Sequence, residues 1–322
     1  MVRILNVEPR EYSQPARQVL KGLGELVEEE LSREQMLRRL PGFQVLIVRL
    51  GHQIDAQVMD SAPDLRCILT ATTGLDHIDL EQARGRGLTV LSLQGEWEFL
   101  ESVSATAEHT WGLLLALVRR IPAAFAAVRA GRWDRDAFKG RELMDRRLGC
   151  VGLGRLGRKV AGYGLAFGMS VAAYDPDPIK WVEGVQRADS LEELLAMSDV
   201  LSLHPSLNEQ TRGMIGAREL ALLPEGAVLL NTARGGLIDE AALLAALISG
   251  RLAGAALDVL AAETGKGLPE SPLLAYAQEH DNLIITPHLA GATRESMAKT
   301  ELFMARKLAA WLKGQDWAGG RP

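Results

Sequence analysis

The sequence contains little cysteine and few aromatic side chains: two cysteines in 322 residues, and 5% Phe, Trp and Tyr. Cys67 and Cys150 are too few for a disulfide framework or a cysteine-rich metal site. Both fall in predicted strands, which favours small buried thiols in a reducing cytoplasm. We find no cluster of Cys, His or acidic residues with the spacing of metal ligands, so no metal is expected.

Long hydrophobic runs and an excess of positive charge are also absent. No apolar run approaches the roughly 20 residues needed to span a bilayer, and the N-terminus reaches Glu8 and Pro9 too soon for a signal peptide. The formal net charge of -5 argues against nucleic acid or an anionic membrane as the main partner. The composition predicts a soluble, cytoplasmic globular protein, and its length suggests two domains.

A glycine-rich stretch, Leu148 to Gly157, is the strongest local signal in the chain. A short apolar strand runs into Gly152, Gly154 and Gly157, followed by a predicted helix over 155–167. The first glycine permits a tight turn, the second allows the backbone to approach a pyrophosphate, and the third allows close helix–strand packing. The helix N-terminus would offer N–H groups and a positive dipole end to the phosphates.

The acid that follows the next predicted strand strengthens this interpretation. The strand Ser170 to Tyr174 ends in Asp175, roughly 20 residues beyond the glycines, where a carboxylate accepts hydrogen bonds from an adenosine ribose. The alternative is a glycine-rich turn with an unrelated surface acid. We favour a dinucleotide site.

The first 102 residues show a strand–helix alternation of their own, which predicts a small α/β unit with a parallel sheet. Its turn Thr72 to Asp79 follows a predicted strand, and Gly74 would allow backbone N–H groups to face a carboxylate. An ordinary turn with Asp79 capping the next helix is equally compatible with the spacing. The stretch Leu93 to Glu101 could close over a cleft, but a packed connector is favoured. A helix is predicted from Ala105 to Arg120, broken by Pro122.

After Asp175, polar side chains repeatedly follow predicted buried strands, which is where open α/β sheets bind ligands. Three of them suit a substrate with a carboxylate beside a carbonyl or hydroxyl carbon. Arg234 supplies a two-pronged donor for the carboxylate, and His288 is of the type that moves protons near neutral pH. Glu263 would orient the imidazole and favour its charged form. Each also has a structural alternative: an ion pair, a turn residue or a solvated acid.

Together these residues resemble the D-isomer-specific 2-hydroxyacid dehydrogenase family, the group of phosphoglycerate, glycerate/hydroxypyruvate and D-lactate dehydrogenases. The resemblance covers nearly the whole chain. Its motifs are Thr73–Asp79, Ala105–Thr110, Val151–Gly157, Asn231–Gly235, Ala256–Val259 and Thr286–His288.

The resemblance implies a role for each matching position. Arg234 would hold the substrate carboxylate, His288 would be the acid/base, and Glu263 its acidic partner. Further substrate contacts would come from Arg49, Thr73, Gly74 and Leu75, although a surface role for Arg49 is equally plausible. The implied cofactor contacts are Thr106, Gly152, Gly154, Arg155, Leu156, Gly157, Asp175, His204, Pro205, Ala233, Asp258 and Gly291.

The resemblance also implies the overall architecture and the reaction. A Rossmann-type doubly wound domain, residues 103–290, would be inserted in a smaller flavodoxin-like α/β substrate domain, residues 1–102 with 291–322. The expected activity is hydride transfer between a nicotinamide and C2 of a small 2-hydroxy or 2-keto acid, in a homodimer whose partner packs near Trp133. Asp175 and Asp177 would repel a 2′-phosphate, so NAD is expected rather than NADP.

Some positions depart from the family pattern and leave the substrate open. Thr264 to Gly267 follow Glu263 where proline is usual, Ser102 replaces a frequent asparagine, and the stretch 95–101 lacks the usual small residues. Formate dehydrogenases share the fold, but Glu263 argues against them. The alternative function is an NAD(H)-sensing binding protein without turnover. Since no regulatory domain follows, feedback through such a domain is not expected.

Overall fold

The computed structural model describes residues 1–178, 180–261, 263 and 270–314. The chain divides into two compact units. Unit 1 consists of Met1–Val103 and the chain from Ala292 onward, and unit 2 of Ser104–Gly291. The sequence-based boundaries differ from these by one residue at each junction. The two units are described separately below.

Unit 1 is a parallel sheet flanked by helices. The strand order is β2-β1-β3-β4-β5, and each pairing is parallel, which is a flavodoxin-like arrangement. Its elements are β1 (Val2–Asn6), α1 (Gln14–Leu23), β2 (Gly24–Glu28), α2 (Arg33–Arg39), β3 (Val45–Val48), α3 (Ala56–Asp60), β4 (Cys67–Thr70), α4 (Leu80–Gly85), β5 (Thr89–Leu91), α5 (Trp97–Glu101) and the last helix, α13 (Arg294–Leu312).

Two apolar clusters form the core of unit 1, one on each face of its sheet. Alternate strand residues such as Ile4 and Leu5 belong to different clusters, as the two-residue period of a strand requires. Helices α1 and α13 pack on the Ile4 face, with Leu20 and Leu308 fully buried. Helix α1 begins at this position because Ser13 caps it and Pro15 occupies its first turn.

Unit 2 is a larger parallel sheet with helices. Its seven strands lie in the order β12-β11-β10-β9-β6-β7-β8, all parallel. Its elements are α6 (Ala105–Val118), α7 (Ile121–Arg129), β6 (Arg147–Val151), α8 (Arg155–Ala166), β7 (Ser170–Tyr174), β8 (Gln186–Arg187), α9 (Leu191–Ala196), β9 (Val200–Leu203), α10 (Ala217–Leu222), β10 (Ala227–Asn231), α11 (Glu240–Ile248), β11 (Leu252–Leu257), α12 (Pro272–Glu279) and β12 (Leu283–Ile285), with short 3-10 turns at Asp136–Phe138 and Gly235–Leu237.

The strand order of unit 2 reverses between β6 and β9. From β6 the chain builds outward through β7 to β8, then crosses to β9 and continues to β12 on the other side. Such a switch point leaves a crevice at the carboxyl ends of the two central strands. The predicted α/β class, with one flavodoxin-like and one Rossmann-type doubly wound sheet, is confirmed.

Unit 2 also has an apolar cluster on each face of its sheet. On one face, Trp111 of α6 stacks on Phe167 at a ring distance of 4.6 Å, and its Nε1 donates to the Val160 carbonyl of α8. These contacts join α6 to α8, the helix that follows the glycine-rich turn.

The structure corrects several details of the predicted elements. Strands β2 and β8 were not predicted. The helix predicted from Ala105 to Arg120 ends at Val118, and the chain turns at Arg120, whose φ is 52°. Pro122 does not cause this break: it lies in the first turn of α7, where its missing N–H costs nothing.

The stretch after Leu93 is a packed connector for most of its length. It forms the short helix α5, whose Phe99 stacks on Phe303 with ring centroids 3.9 Å apart. Glu96 pairs with Lys307 at 2.5 Å, while Trp97 remains 60% exposed.

Two findings concern membrane-spanning helices and metal-binding clusters among the described residues. Across the described ranges, no single helix is long and apolar enough to cross a membrane; the helices over 97–118 and 121–129, bent by 64° at their break, reach that length and composition only together. In the same part of the chain, no group of three or more His, Cys, Asp or Glu side chains could hold a metal ion.

Candidate active site

The glycine-rich turn after β6 has the close contacts that its spacing predicts. Gly152 has a φ of 84°, and a Cβ there would lie 3.0 Å from the Pro205 nitrogen. A Cβ on Gly157 would lie 2.0 Å from the Gly152 carbonyl oxygen, so only glycine permits this helix–strand packing. At Gly154 no atom lies within 4 Å of a built Cβ, which leaves open space beside the turn.

Helix α8 begins directly at this open space. Its cap residue, Gly154, has no side chain to accept from the first N–H groups, and a helix N-terminus of this kind suits an anion. The first helical residues are Arg155 and Leu156, and Leu156 packs against the core. A pyrophosphate therefore fits this turn.

Asp175 lies against the same turn, at the end of β7. Its Oδ2 accepts from the Leu153 N–H at 2.6 Å, and its Oδ1 accepts from the Asp177 N–H at 3.0 Å. Both bonds fix the carboxylate beside the glycine loop.

His204 and Pro205 follow β9, on the other side of the switch point. The His204 N–H donates to the Val151 carbonyl at 2.8 Å, and its Nε2 lies 2.9 Å from the Ser202 hydroxyl. Burial lowers the pKa of His204 to about 4, so this ring is neutral at physiological pH. It contributes a polar but uncharged side chain at this position.

Three further predicted cofactor residues lie along the same end of unit 2. A Cβ on Gly291 would be 3.9 Å from the Thr106 hydroxyl, so these two positions adjoin. The Ala233 N–H donates to the Asn231 side-chain oxygen at 3.0 Å. The residues predicted to bind the cofactor therefore suit a dinucleotide. They extend from the glycine-rich turn to the loops that follow β9 and β10.

Arg234 lies on a turn that the chain holds tightly. Asn231 donates from its amide nitrogen to the Arg234 carbonyl at 2.8 Å. A Cβ on Gly235 would lie 2.0 Å from the Leu260 carbonyl carbon, so the turn packs directly on the backbone that leads to Glu263. The half-buried Arg234 side chain donates from Nη1 to the Ala233 carbonyl.

Glu263 and His288 are in direct contact. The His288 Nδ1 lies 2.7 Å from Glu263 Oε1, and both side chains are 27% exposed. Glu263 is itself held by the Leu260 N–H, which donates to Oε2 at 3.2 Å. Because a carboxylate only accepts, Nδ1 carries the proton and Nε2 is the nitrogen left for exchange with a ligand.

The order of the strands explains why these three residues share one edge. Arg234 follows β10, Glu263 follows β11 and His288 follows β12, and these strands are neighbours in the sheet. Since parallel strands end at the same edge, the sheet gathers a guanidinium, a carboxylate and an imidazole there.

Asp258 is buried at the base of this group. Although burial opposes ionisation, bonds from His109, Thr286 and the Ala290 and Leu289 N–H groups hold the pKa of its carboxyl below the usual range. The chain's own donors therefore surround the carboxylate, and a contact between Asp258 and the cofactor stays a prediction.

In unit 1, the turn Thr73 to Leu75 has free backbone donors. In the part of the chain that the structure describes, the N–H groups of Thr73, Gly74 and Leu75 donate to no other protein group. Thr72 fixes the turn by donating its hydroxyl to the Gly74 carbonyl at 2.8 Å. This is the backbone arrangement that suits a carboxylate.

Arg49, the other predicted substrate contact in unit 1, is already engaged. Its Nη2 lies 2.6 Å from the Glu301 carboxylate, and its Nη1 donates to the Arg10 carbonyl at 2.8 Å. A substrate contact from Arg49 stays a prediction, and so does a special role for the loop 264–271, of which residues 264–269 lie outside the described residues.

Sequence reasoning missed three residues that organise the site: Asn231, His109 and Thr286. All three lie inside recognised motifs, which was the available signal. Their function is visible only through contacts such as that between His109 and Thr286, which are 177 residues apart.

Comparisons with known proteins identify a family and relatives of this chain. The family model of the D-isomer specific 2-hydroxyacid dehydrogenase NAD binding domain matches residues 111–290. A D-3-phosphoglycerate dehydrogenase of Methanocaldococcus jannaschii is 38% identical over 98% of this chain, which spans only 58% of that relative's length. A hydroxypyruvate reductase of Thermotoga maritima is 35% identical, covering 88% of this chain and 90% of the relative.

A solved structure extends the likeness to both units. The crystal structure of D-lactate dehydrogenase from Aquifex aeolicus, complexed with NAD and lactic acid, matches with a TM-score of 0.81 at 29% identity. The match covers 99% of this chain and all of that one. The chain belongs to the D-isomer-specific 2-hydroxyacid dehydrogenase family, whose NAD-binding domain corresponds to unit 2.

Proposed function

We propose that this protein is an NAD-dependent dehydrogenase that interconverts a small D-2-hydroxy acid and its 2-keto acid. The observation that carries the proposal is the 2.7 Å contact between His288 and Glu263. This pair lies on the same sheet edge as Arg234, in the unit that also carries the glycine-rich dinucleotide turn. The named relatives, which include phosphoglycerate, hydroxypyruvate and lactate enzymes, support the substrate class.

The three side chains divide the chemistry between them. Arg234 binds the substrate carboxylate with its planar fork and supports negative charge on the reacting oxygen. When bound, the nicotinamide supplies or accepts the hydride at the substrate's C2. His288 returns a proton from Nε2 to the keto oxygen in reduction, and removes the hydroxyl proton in oxidation. Glu263 keeps the Nδ1 proton in place and stabilises the imidazolium.

The preference for NAD over NADP follows from Asp175. Its carboxylate is fixed by two backbone N–H groups, so it cannot move away from a 2′-phosphate, and Asp177 adds a second negative charge nearby. We therefore expect a higher kcat/KM with NADH than with NADPH, and equal values would contradict this assignment.

The test follows nicotinamide absorbance with a panel of 2-keto acids: glyoxylate, hydroxypyruvate, pyruvate, phenylpyruvate and 3-phosphohydroxypyruvate. His288→Gln should lower kcat by about 10²- to 10⁴-fold, and Arg234→Lys should raise KM as well as lower kcat. His280→Gln is the matched control, since His280 is exposed and stacks on Tyr276 outside the site. Tight NADH binding without turnover on any acid would replace this proposal with an NAD(H)-sensing function.

We also infer that the protein forms a homodimer through α7. Ile121, Phe125 and Val128 lie at helical spacing on one face and are each more than half exposed, and Trp133 beyond the helix is 89% exposed. Such an apolar patch marks an interface, and the family resemblance points to a second copy. Phe125→Asp should give a monomer by light scattering; a wild-type protein that is already monomeric would refute the dimer.

A further inference from the structure

The loop that carries His288 is wrapped around one buried carboxylate. Asp258 Oδ1 accepts from the Thr286 hydroxyl at 2.5 Å and from the Leu289 N–H at 3.0 Å. Its Oδ2 accepts from the Ala290 N–H at 2.8 Å. The residues on both sides of His288 are therefore fixed to the same two oxygen atoms.

His288 itself has an unfavourable backbone conformation. Its φ of 51° is in the left-handed region, which side chains with a Cβ occupy only when the surroundings impose it. The His288 N–H donates to the carbonyls of Asp258 and Thr286 at 2.9 and 3.0 Å. These bonds, together with those to the Asp258 carboxylate, impose the conformation that presents the ring to Glu263.

A second histidine completes this arrangement from α6. The His109 Nε2 lies 3.0 Å from the Thr286 hydroxyl oxygen and 3.4 Å from Asp258 Oδ1. Because the Thr286 hydroxyl donates to Asp258, its oxygen is left to accept, so His109 Nε2 must carry a proton. His109 therefore donates to the half-buried Thr286 hydroxyl and to the buried Asp258 carboxylate, and it fixes the direction in which the Thr286 hydroxyl points.

We propose that His109 is a positioning residue for the reaction, acting through Thr286 and Asp258 to hold His288 in its left-handed conformation against Glu263. Among the described residues, its side chain contacts Thr286 and Asp258 but forms no hydrogen bond or ion pair with Glu263 or His288, so its effect on the acid/base is indirect. The inference rests on the proposed dehydrogenase function for its catalytic consequence, but not for its effect on the His288 ring.

The test compares variants that remove the donor with variants that keep it. His109→Phe fills the space without an N–H, whereas His109→Gln keeps an N–H near the position of Nε2. We expect His109→Phe to lower kcat by roughly 10- to 100-fold, the scale of a small displacement of a catalytic group, and His109→Gln to restore most of that loss. The matched control, His280→Phe, should leave kcat unchanged.

Thr286→Val and Thr286→Ser form a second pair: the first removes the hydroxyl and the second keeps it. This pair tests whether the contacts through Thr286 position His288 if His109→Phe does not fold.

A readout without cofactor or substrate separates this proposal from the proposed function. Side-chain ¹⁵N spectra of the six histidines, assigned with His288→Gln, report the tautomer of His288 in the free protein. In the wild type we expect the ring-nitrogen chemical shifts of a single Nδ1–H tautomer. In His109→Phe we expect these chemical shifts to move toward the averaged values of a free imidazole. An unchanged His288 signal in both His109→Phe and Thr286→Val would overturn the inference, even if the enzyme is active. If no keto acid is turned over but the signal moves, the dehydrogenase proposal fails and the positioning proposal stands.

Discussion

At the scale of single residues, Arg49 forms an ion pair that the sequence did not predict, while its substrate contact stays a prediction. The resemblance offered it as a substrate contact, yet its guanidinium is paired with Glu301, a carboxylate that is only 2% exposed. The Ser13 N–H donates to the same carboxylate at 2.6 Å. Together these bonds connect the segment before α1, the end of β3 and the last helix within unit 1.

The pair predicts a pH-dependent loss of stability when Arg49 is removed. Burial raises the pKa of Glu301, partly offset by the Ser13 N–H and by Arg49. Arg49→Met leaves an unpaired buried charge and should lower the free energy of unfolding by about 3 kcal/mol at pH 8. Because the folded state then binds the proton more readily than the unfolded state, the loss should shrink as the pH falls through the folded pKa toward the unfolded value of about 4.3.

Urea denaturation of wild type and variant at pH 8 and pH 5 measures this effect. The double variant Arg49→Met with Glu301→Gln is the control, since it removes the titrating group and should show no such recovery at pH 5. A constant difference between Arg49→Met and wild type at both pH values would show that Glu301 is not the group responsible.

Residue positions also show what the sequence could and could not predict. Glu263, His288 and Arg234 were recognisable because each follows a buried strand, and parallel strands end at one edge. The supporting contacts were not recognisable, because His109 lies on a helix far from Thr286 along the chain. Hydrogen bonds between such distant positions leave no periodic pattern in the sequence.

At the scale of elements, strands were predictable where they are short buried apolar runs. Strand β2 follows α1 without a connecting residue and has no buried apolar run, and β8 has only two residues, so neither was found. Pro122 was misplaced for a related reason: proline is compatible with both the end of one helix and the first turn of the next.

A packing contact between two elements predicts the effect of Gly235→Ala. The added Cβ would lie 2.0 Å from the Leu260 carbonyl carbon and 2.3 Å from the Ala261 nitrogen, and both are backbone atoms that cannot move aside cheaply. The turn carrying Arg234 must then separate from the segment leading to Glu263. We expect kcat/KM to fall by roughly 100-fold, measured with the best keto acid of the panel.

The matched control is Gly22→Ala, in the exposed part of α1, where no atom lies within 4 Å of the added Cβ. Alanine favours a helix over glycine by about 1 kcal/mol, so this variant should be as active as wild type and no less stable. Normal kcat/KM in Gly235→Ala would mean that the distance between these two segments does not matter for the reaction.

At the scale of the whole molecule, the two units have separate cores. In the described part of the chain, both apolar clusters of unit 2 consist of residues from 104–291. Both apolar clusters of unit 1 consist of residues from 1–103 and from α13. A segment with its own core and a closed set of sheet pairings meets the physical requirements of an independent domain. Unit 2 is also continuous in sequence, whereas unit 1 is assembled from two segments.

We therefore predict that residues 104–291 fold alone and bind NADH, because the glycine turn, Asp175, His204 and the Arg234 turn all belong to this segment. Circular dichroism should show one cooperative thermal transition, and NADH fluorescence should report binding.

Gly157→Val is the matched control: its side chain would collide with the Gly152 carbonyl and should abolish binding. The segment should not reduce keto acids, since it lacks the turn Thr73 to Leu75, which is predicted to bind the substrate carboxylate. A soluble, folded segment that binds no NADH would show that the dinucleotide site needs unit 1, and one that retained full turnover would remove the turn from the substrate site.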